Sequence, residues 1–518
     1  MNVLDRAISA LSPAAGVKRV VDRRRIDILN SGYGNYGAAH HKKSTKGWNY
    51  SGGSANEDIH ENLSTLRERS RDLYAGVPLA TGALKTMRTN VIGSGLVLKS
   101  QIDKNFLRLT EEQAKQIEDT IEREFALWAD SDDCDMERLD NFVELQQLVF
   151  INWLLSGEVF VLLPTTQRTG MPYDLRVQLV ESDRVCTPGD KTQNQRIICG
   201  VETTAGGEVV AYHIKNSHPL SNDFNGKPGY KRVCVRGVKT GRRNVLHIMN
   251  RERIGQLRGV PYLAPVIEAL KQLGTYTEAE LVAAVVNGMF AVFIESPEGN
   301  IGAGAALGEV VPEGQQVDAS DPNSIEIGNG TIVDLAPGEK ANSVAPGRPN
   351  SNFEPFVLAI CKQIGTALEI PFEVLVKHFG ASYSASRGAL LELWKAVKMY
   401  RGWFASDFCQ PIFEEWFAEA VAKGRVKAPG FFTDPAIRKA YCGAEWNGPA
   451  QLSLDPVKEV RAAQMRVESS FSTADREAQE LNGSDFYKNV EQRVAEEKLK
   501  KEVRDIEQGT SVPNGVGG

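Results

Sequence analysis

Two long helical patterns on either side of a Gly-rich acidic segment constrain the fold more than any other feature of the sequence. The first pattern covers 261–288, where Pro261 suits a first helical turn and apolar residues recur at i, i+3, i+4 and i+7. The second covers 351–370, and its apolar residues also align on one face. An amphipathic helix must pack its apolar stripe against another surface. The sequence therefore predicts two long helices, each with a partner.

The segment between these helices is strongly negative. Between 290 and 345 the chain has nine acidic residues and a single basic residue, Lys340. Within it, two alternating runs surround Asn329-Gly330 over 324–335, which predicts a β-hairpin. An acidic surface here would suit a basic docking partner, and a merely solvated loop is an equal alternative. The acidic residues are Glu295, Glu298, Glu309, Glu313, Asp318, Asp321, Glu326, Asp334 and Glu339.

The rest of the chain mixes helices and strands. With 518 residues, several cores are expected. Ordered structure should begin near Ile59, because residues 1–60 form a basic, Gly- and Ser-rich arm. The pattern over 111–129 is an amphipathic helix, and four short β-branched runs between 157 and 249 are strands. The fold class is α+β.

Beyond Pro371, a polar Gly/Ser/Tyr segment is predicted to be a loop that leads into a helix from Ala389. The last ninety residues have helical, charged patterns, and the final ten should fray. Six large aromatic residues of this part are predicted to lie in the core rather than in a base-stacking platform, because acidic residues stand beside them. They are Trp394, Trp403, Phe404, Phe413, Trp416 and Phe417.

The motifs that would indicate catalysis are absent or out of context. The pattern GxGxxG at 32–37 lies in the polar arm, without the strand and helix that a dinucleotide site needs. Residues 93–100 approach a phosphate-binding loop, but Leu98 stands where glycine is required. The histidines show no metal-ligand spacing, and His213 and His247 are expected to be structural. No enzyme, metal or cofactor is predicted.

Charge, cysteine usage and hydropathy exclude further classes. The net charge of −6 is unlike that of a protein that holds nucleic acid tightly over its whole surface. Seven scattered cysteines without a CxxC pair fit a reducing cytosol. The longest nearly uncharged apolar stretch, 281–294, has 14 residues, whereas a membrane span needs about 20. No membrane helix is expected.

Five segments, in order, resemble the lambda-like family of tailed-phage portal proteins. They are RERSRDLYAGVPLATGALKTMRTNVIGSGLVLKS (67–100), QLVESDRV (178–185), HIMNRERIGQLRGVPYLAPVIEALKQL (247–273), IPFEVLVKHFGASYSASRGALLELWK (370–395) and WNGPAQLSLDPVKEVRAAQMRVESSFST (446–473). The arm and the acidic segment match the family poorly. Two competing classes are a DNA-packaging nuclease or ATPase subunit, which would need a nucleotide loop or an acidic metal cluster, and a head–tail adaptor, which is usually much shorter.

The resemblance implies a portal fold with long stem helices, a β-containing wing and clip, and a helical crown. Carried onto this chain, the regions are the flexible arm 1–60, wing 61–260, stem helix 261–288, clip 289–350, stem helix 351–370, tunnel loop 371–388, tunnel/wing helix 389–424, crown 425–505 and flexible tail 506–518. In a ring, part of the apolar stripe on each stem helix becomes a surface between subunits. Ordinary core packing within one chain is the alternative.

The same resemblance implies a twelve-subunit ring at one capsid vertex, assembled in the host cytoplasm, through which double-stranded DNA passes without sequence preference. Implied partners are the major capsid protein, the terminase large subunit, a head–tail adaptor and a scaffold protein. The tunnel-loop residues expected to face DNA are Lys377, His378, Ser382, Tyr383, Ser384 and Arg387. For Arg387, a cap or ion pair near the next helix is the alternative. The clip would carry its acidic residues on its surface.

Overall fold

The computed structural model describes residues 52–221, 229–289, 293–295, 333–335, 352–380, 382–451 and 455–509, with isolated positions between 12 and 22. The chain divides into two units, Met1–Asp58 and Ile59–Gly518, and the account below concerns the second. Among the described residues, no helix is both long enough and apolar enough to cross a bilayer.

Helices provide most of the second unit. In chain order, the α-helices are α1 (Ala55–His60), α2 (Leu63–Gly76), α3 (Pro78–Val91), α4 (Lys104–Leu107), α5 (Glu111–Ala129), α6 (Phe142–Ser156), α7 (Ile267–Met289), α8 (Phe353–Ala367), α9 (Phe372–Leu375), α10 (Tyr383–Phe404), α11 (Gln410–Ala422), α12 (Pro435–Tyr441), α13 (Pro456–Glu468), α14 (Ala474–Asn482) and α15 (Phe486–Gly509). A π-helical turn, Ala405–Cys409, joins α10 to α11.

The strands form several small sheets. They are β1 (Val97–Ser100), β2 (Glu158–Leu162), β3 (Gln178–Val180), β4 (Ile197–Ile198), β5 (Val201–Thr203), β6 (Val209–Lys215), β7 (Tyr230–Cys234), β8 (Val245–Met249), β9 (Phe293–Glu295), β10 (Val333–Leu335) and β11 (Ala444–Asn447). The antiparallel sheets have the orders β3-β2-β8 and β4-β5-β6-β7. Strand β1 pairs antiparallel with β11, and β9 pairs parallel with β10.

A helical core and a smaller β-sheet core hold these elements together. In the helical core, α5 and α6 begin with capping boxes, in which Thr110 and Asn141 each exchange hydrogen bonds with the residue three positions on. Some of the aromatic residues pack edge to face, as Phe125 does on Trp416 at 5.1 Å between ring centroids, and others stack, as Phe142 does on Phe408. The smaller core lies around Phe160 and Tyr212 between the two larger sheets. The predicted α+β class is confirmed.

The local predictions from the sequence are largely confirmed. Helix α5 has the predicted bounds, and the four β-branched runs contain β2, β3, β6 and β8. Phe404, Phe413, Trp416 and Phe417 are fully buried in the core. Trp394 packs partly buried against it, while Trp403 stays 36% exposed.

Three predicted elements differ from the structure. The first long helix begins with a 3₁₀ turn at Ala264–Val266 instead of at Pro261. The segment 425–505, predicted to be helical, includes strand β11, because Ala444–Asn447 pairs with a distant strand. The third difference, an earlier start of α10, concerns the site itself. Of the hairpin predicted over 324–335, only 333–335 is described, where it pairs parallel with 293–295, and the rest lies outside the described residues.

Candidate functional site

The candidate site is the exposed loop that connects α9 to α10, residues 376–382. Lys377, His378, Phe379 and Gly380 all face solvent, as does Ser382. Lys377 turns the chain out of α9 with a φ of +54°, in the left-handed region that non-glycine residues enter at a cost. The loop is shorter than the sequence suggested, because α10 already begins at Tyr383.

This earlier start changes the setting of three predicted site residues. Tyr383, Ser384 and Arg387 belong to the first turns of α10 rather than to a loop. Glycine, serine and tyrosine are typical of loops, so the sequence pattern hid the helix. Ser384 is exposed, Arg387 is half-buried, and the side chain of Tyr383 lies outside the described part of the chain.

Buried residues that precede the loop anchor it. Leu368, Ile370, Val374 and Leu375 lie in the core before it. The backbone after α8 folds closely back on Gly365, in the last turn of that helix, where a Cβ would lie 2.6 Å from the carbonyl oxygen of Ile370. The loop is therefore a solvent-facing segment with rigid supports, which is the usual construction of a binding loop.

The charge of this segment is entirely positive. From Val374 to Leu391 the chain has no acidic residue, while Lys377 and Arg387 are cationic. The first turn of α10 adds the positive end of a 22-residue helix, and the side chain of Ser382 does not cap its N–H groups. A polyanion approaching this surface would meet cations and free N–H donors.

Arg387 also lies near an acidic residue of another helix. Asp455, at the N-terminus of α13, has a pKa below its ordinary value, mainly through hydrogen bonds from Lys458 and to a smaller extent through the charge of Arg387. This proximity supports the alternative structural role of Arg387. Lys377 and His378 have no such acidic neighbour among the interactions of the described residues.

The predicted acidic surface falls mostly outside the described residues. Glu295 ends β9 and Asp334 lies at the centre of β10, opposite Ile294 in the register. Their side chains are not among those described. The remaining predicted residues of this surface also lie outside the described part of the chain: Glu298, Glu309, Glu313, Asp318, Asp321 and Glu326.

A buried charge cluster that the sequence did not reveal joins the β-sheets to the start of α7. Glu158, at the beginning of β2, is fully buried and accepts hydrogen bonds from Arg258 Nε at 2.7 Å and from the Gly259 N–H at 2.7 Å. Arg67 of α2 forms an ion pair with the same carboxylate, and His247 Nε2 lies 2.8 Å from it. No local pattern signals this cluster, because its members come from four separate segments.

The cluster holds its groups in defined charge states. Burial alone would raise the pKa of Glu158, but the charges of Arg258 and Arg67 and the hydrogen bond with His247 outweigh it and keep that pKa well below its ordinary value. Burial lowers the pKa of His247, although Glu158 opposes that shift. Glu158 is thus an anion and His247 is neutral at pH 7.

Two glycines allow the two backbones of this junction to touch. Gly157 has a φ of +85°, and a Cβ on it would lie 2.3 Å from the carbonyl carbon of Val260. A Cβ on Gly259 would lie 2.1 Å from the carbonyl oxygen of Gly157. Real Cβ atoms do not approach backbone so closely, so both positions require glycine. The segment leading into α7 is therefore fixed to the sheet.

Comparison with known proteins identifies the family of this chain. The model of the family described as "Phage portal protein, lambda family" matches residues 41–401, more than half of the chain. The chain belongs to this family. Portal proteins are structural proteins of the phage virion, located at the capsid vertex and neck as an oligomeric ring, and they are not enzymes.

The chain matches curated portal proteins over most of their length. The chain is 23% identical over 475 residues to portal protein B of Escherichia phage lambda, covering 87% of this chain and 86% of the relative. It is 24% identical over 470 residues to the portal protein of Escherichia phage N15, covering 87% of each. A probable portal protein of Halomonas phage phiHAP-1 is 24% identical over 432 residues, covering 80% of this chain and 77% of the relative.

Solved structures also resemble this portal-family chain. A chain from the neck of a native gene transfer agent particle is 14% identical, with a TM-score of 0.38, and the match covers 80% of this chain and 92% of that one. A chain from the virion of a native gene transfer agent particle is 16% identical with the same TM-score and coverage.

One group of possible metal ligands lies in the β-rich part of the portal-family chain. Ligand atoms of Glu181, Asp183 and His218 lie within 4.8 Å of one another. Arg71 already forms ion pairs with both carboxylates, at 3.5 Å from Glu181. An arginine in this position competes with a cation for the same oxygens, so the group is explained as an ion-pair network.

Proposed function

We propose that twelve copies of this chain form a ring at one capsid vertex, and that double-stranded DNA passes through its centre during packaging and ejection. In this arrangement, α7 and α8 form the stem, 289–350 the clip, and 371–388 the tunnel segment that faces DNA. The single observation that carries the proposal is the exposed, acid-free loop at Lys377 and His378, supported on buried residues.

The charge of the loop suits passing DNA. DNA has one phosphate charge per roughly 1.7 Å of helix axis, and each cation that neutralises a phosphate adds affinity that falls with salt. A channel lined densely with lysine would hold DNA in place. One lysine, one histidine and the N-terminus of α10 per subunit, within a chain of net charge −6, give contacts that are weak and independent of sequence.

The stem helices carry apolar side chains that no described part of the chain covers. On α7, Leu281, Val282 and Val285 are 65%, 55% and 50% exposed, and on α8, Phe356 is 51% exposed. The other ends of both helices are buried, for example at Leu270 and Ile364. This half-buried, half-exposed division supports a role for the exposed stretch in packing against a neighbouring copy.

The partners proposed for the clip, the wing and the basic arm follow from the charge and position of these regions. Between 290 and 345 the clip has nine acidic residues against one basic residue, so it suits docking of a basic surface of the terminase large subunit or of a head–tail adaptor. The wing would contact the major capsid protein. The basic arm would bind scaffold protein, capsid shell or internal DNA.

The mass of the native assembly tests the ring. Twelve chains of 56.9 kDa give about 680 kDa, and native mass spectrometry with negative-stain micrographs of the purified full-length chain should show closed rings of that mass. Rings of another subunit number would correct the stoichiometry alone. A chain that stays monomeric at every concentration that supports particle assembly would contradict the proposal.

A further inference from the structure

A second positive surface lies in the β-rich part of the chain, away in sequence from the loop at 376–382. Residues Tyr230–Asn244, here called the basic hairpin, contain six cations and no acidic residue. Strand β7 forms its first arm, and a bridge between Arg236 and Arg243 closes the turn. In a chain with more acidic than basic residues, this is a local concentration of positive charge.

The cations of the basic hairpin divide into two groups. Arg232 pairs with Glu202 at 2.8 Å, and Arg242 with Glu415 at 3.3 Å, so these arginines hold the hairpin to the rest of the chain. Arg243 is half-buried and its backbone N–H donates to Glu415 Oε1 at 3.0 Å. These contacts fix the hairpin on its supporting sheet.

The remaining three cations, Lys231, Arg236 and Lys239, face solvent. Among the residues that the structure describes, no carboxylate forms an ion pair with any of them. Arg236 makes one hydrogen bond within the hairpin, from Nη1 to the carbonyl oxygen of Gly241 at 3.2 Å, which leaves its charge uncompensated. The hairpin thus presents, on a fixed support, three cations that pair with no carboxylate of the described residues.

Protection of a sheet edge does not explain all three exposed cations of the basic hairpin. Strand β7 is an edge of the sheet β4-β5-β6-β7, and lysine on an edge strand prevents pairing with other chains. That accounts for Lys231. Arg236 and Lys239 lie beyond the end of β7, in the turn, where there is no strand edge to protect. Their exposure calls for another explanation.

We propose that the basic hairpin is a docking surface for the phosphate backbone of duplex DNA, without sequence preference. A protein partner is less suited to this surface, because protein interfaces rely on buried aromatic or aliphatic anchors at their centre. Here the tip carries Val238 alone as an apolar residue, 94% exposed, amid cations. Phosphate contacts need only accessible cations, and arginine matches phosphate geometry with two parallel donors.

This proposal does not rest on the tunnel segment, and a separate DNA-binding measurement tests it. The probe is a fluorescein-labelled duplex of thirty base pairs, titrated with full-length protein at several salt concentrations. The variant combines Lys231→Gln, Arg236→Gln and Lys239→Gln. The matched control combines Lys85→Gln, Lys427→Gln and Lys439→Gln, which removes three exposed lysines from the helical part.

Each phosphate contact contributes about 0.9 to the slope of log affinity against log salt. The hairpin variant should therefore bind with a slope smaller by about 2.7 for each engaged chain, while the control keeps the slope of the unmodified chain. Photo-crosslinking to the same duplex should label peptides within 230–244. Equal slopes for the two variants would overturn the proposal. Crosslinks in purified particles that join the basic hairpin only to acidic protein segments would also overturn the proposal.

Discussion

Arg258 and Glu158 form an ion pair inside the protein, with 2.6 Å between Arg258 Nη2 and Glu158 Oε1. Both side chains are almost completely removed from solvent. Arg258 also donates to the carbonyl oxygens of Val185 and Ser182, each at 2.8 Å. The pair thus connects β2, the segment after β3 and the segment that leads into α7. It fixes the segment that leads into α7 relative to the sheets.

Replacement of Glu158 by glutamine should destabilise the chain strongly. The substitution keeps the shape but leaves Arg258 buried without its anionic partner, and Arg67 with only Asp183, at 3.6 Å. Removing one partner of a buried ion pair costs about 3–5 kcal/mol. Urea denaturation at one fixed protein concentration, followed by circular dichroism, should show a loss of this size in the free energy of unfolding.

An exposed ion pair provides the control for this measurement. Lys395 and Glu392 lie 2.6 Å apart on α10, and both are largely exposed. Breaking such a pair by Lys395→Gln should change the free energy of unfolding by less than about 1 kcal/mol. If Glu158→Gln had no larger effect than this control, the buried cluster would not have the stabilising role assigned to it.

The same cluster predicts that acid weakens the fold. The pKa of His247 is below its ordinary value of 6.5, so between these two pKa values the unfolded chain binds a proton that the folded chain does not bind. The contribution of His247 to the free energy of unfolding is complete above pH 6.5. It is lost as the pH falls towards the folded-state pKa, by up to about 1.4 kcal/mol per pH unit. Glu158, whose pKa is also lowered, acts in the same direction at pH values below 4.5.

A substitution at His247 tests this pH dependence. Glu158, Arg258, Arg67 and Tyr212 are the titratable groups that face the imidazole, and all remain in His247→Gln. Between pH 7.5 and 5.5 the urea midpoint of the unmodified chain should fall, and that of the variant should fall less. Parallel pH profiles of the two proteins would show that another group is responsible.

The sequence predicted what depends on short-range pattern. The helix over 111–129 and the strands between 157 and 249 follow from apolar periodicity, which reports burial of a single element. The pairing of β1 with β11 joins Val97 to Asn447, across 350 positions, and no local pattern encodes such a partner. The Glu158 cluster was missed for the same reason.

The candidate site was predicted only in part. Its position came from the resemblance to portal proteins, and the exposure of Lys377 and His378 agrees with a loop. The start of α10 at Tyr383 was missed, because Ser384, Ser386 and Gly388 have low helix propensity and tertiary packing further along the helix overrides it. Whether these residues face DNA is still a prediction.

The exposed apolar residues of α7 predict how the ring is held together. Replacing Leu281 and Val285 with glutamate places charges on the stem surface, which is exposed in the single chain and buried in the proposed ring. Burying each residue between copies would contribute about 1.5–3 kcal/mol, which the substitutions remove. Native mass spectrometry should show loss of rings, while circular dichroism and thermal unfolding of the single chain stay unchanged.

Ile254 offers a matched control for the stem substitutions. It is 100% exposed and lies before α7, so Ile254→Glu introduces one glutamate, half the charge added in the double variant, without touching the proposed stem. Its rings should form normally. Intact rings in the Leu281→Glu, Val285→Glu variant would place the subunit interface elsewhere.

Removal of the tunnel-segment cations should impair DNA handling and leave assembly intact. Lys377 is exposed and forms no ion pair with any described residue, so Lys377→Ala removes the proposed phosphate contact without breaking an ion pair. Arg387 is half-buried near Asp455, so Arg387→Ala tests both DNA contact and local packing. In a phage particle assembly, the yield of DNA-filled particles should fall for Lys377→Ala and further for the double variant, as measured by density-gradient separation of full and empty particles.

The control for this experiment is on the same helix. Lys395 lies eight residues beyond Arg387 and pairs with Glu392, so Lys395→Ala removes an equal charge outside the tunnel segment. Rings of all variants should have the same native mass, which separates a defect in assembly from one in DNA passage. Because phosphate contacts weaken with salt, DNA should also leave Lys377→Ala particles at a lower salt concentration than control particles. Equal yields of DNA-filled particles and equal retention of DNA in Lys377→Ala and Lys395→Ala would remove Lys377 from the DNA-facing surface. An effect of Arg387→Ala alone would assign Arg387 to the packing of α10 against Asp455.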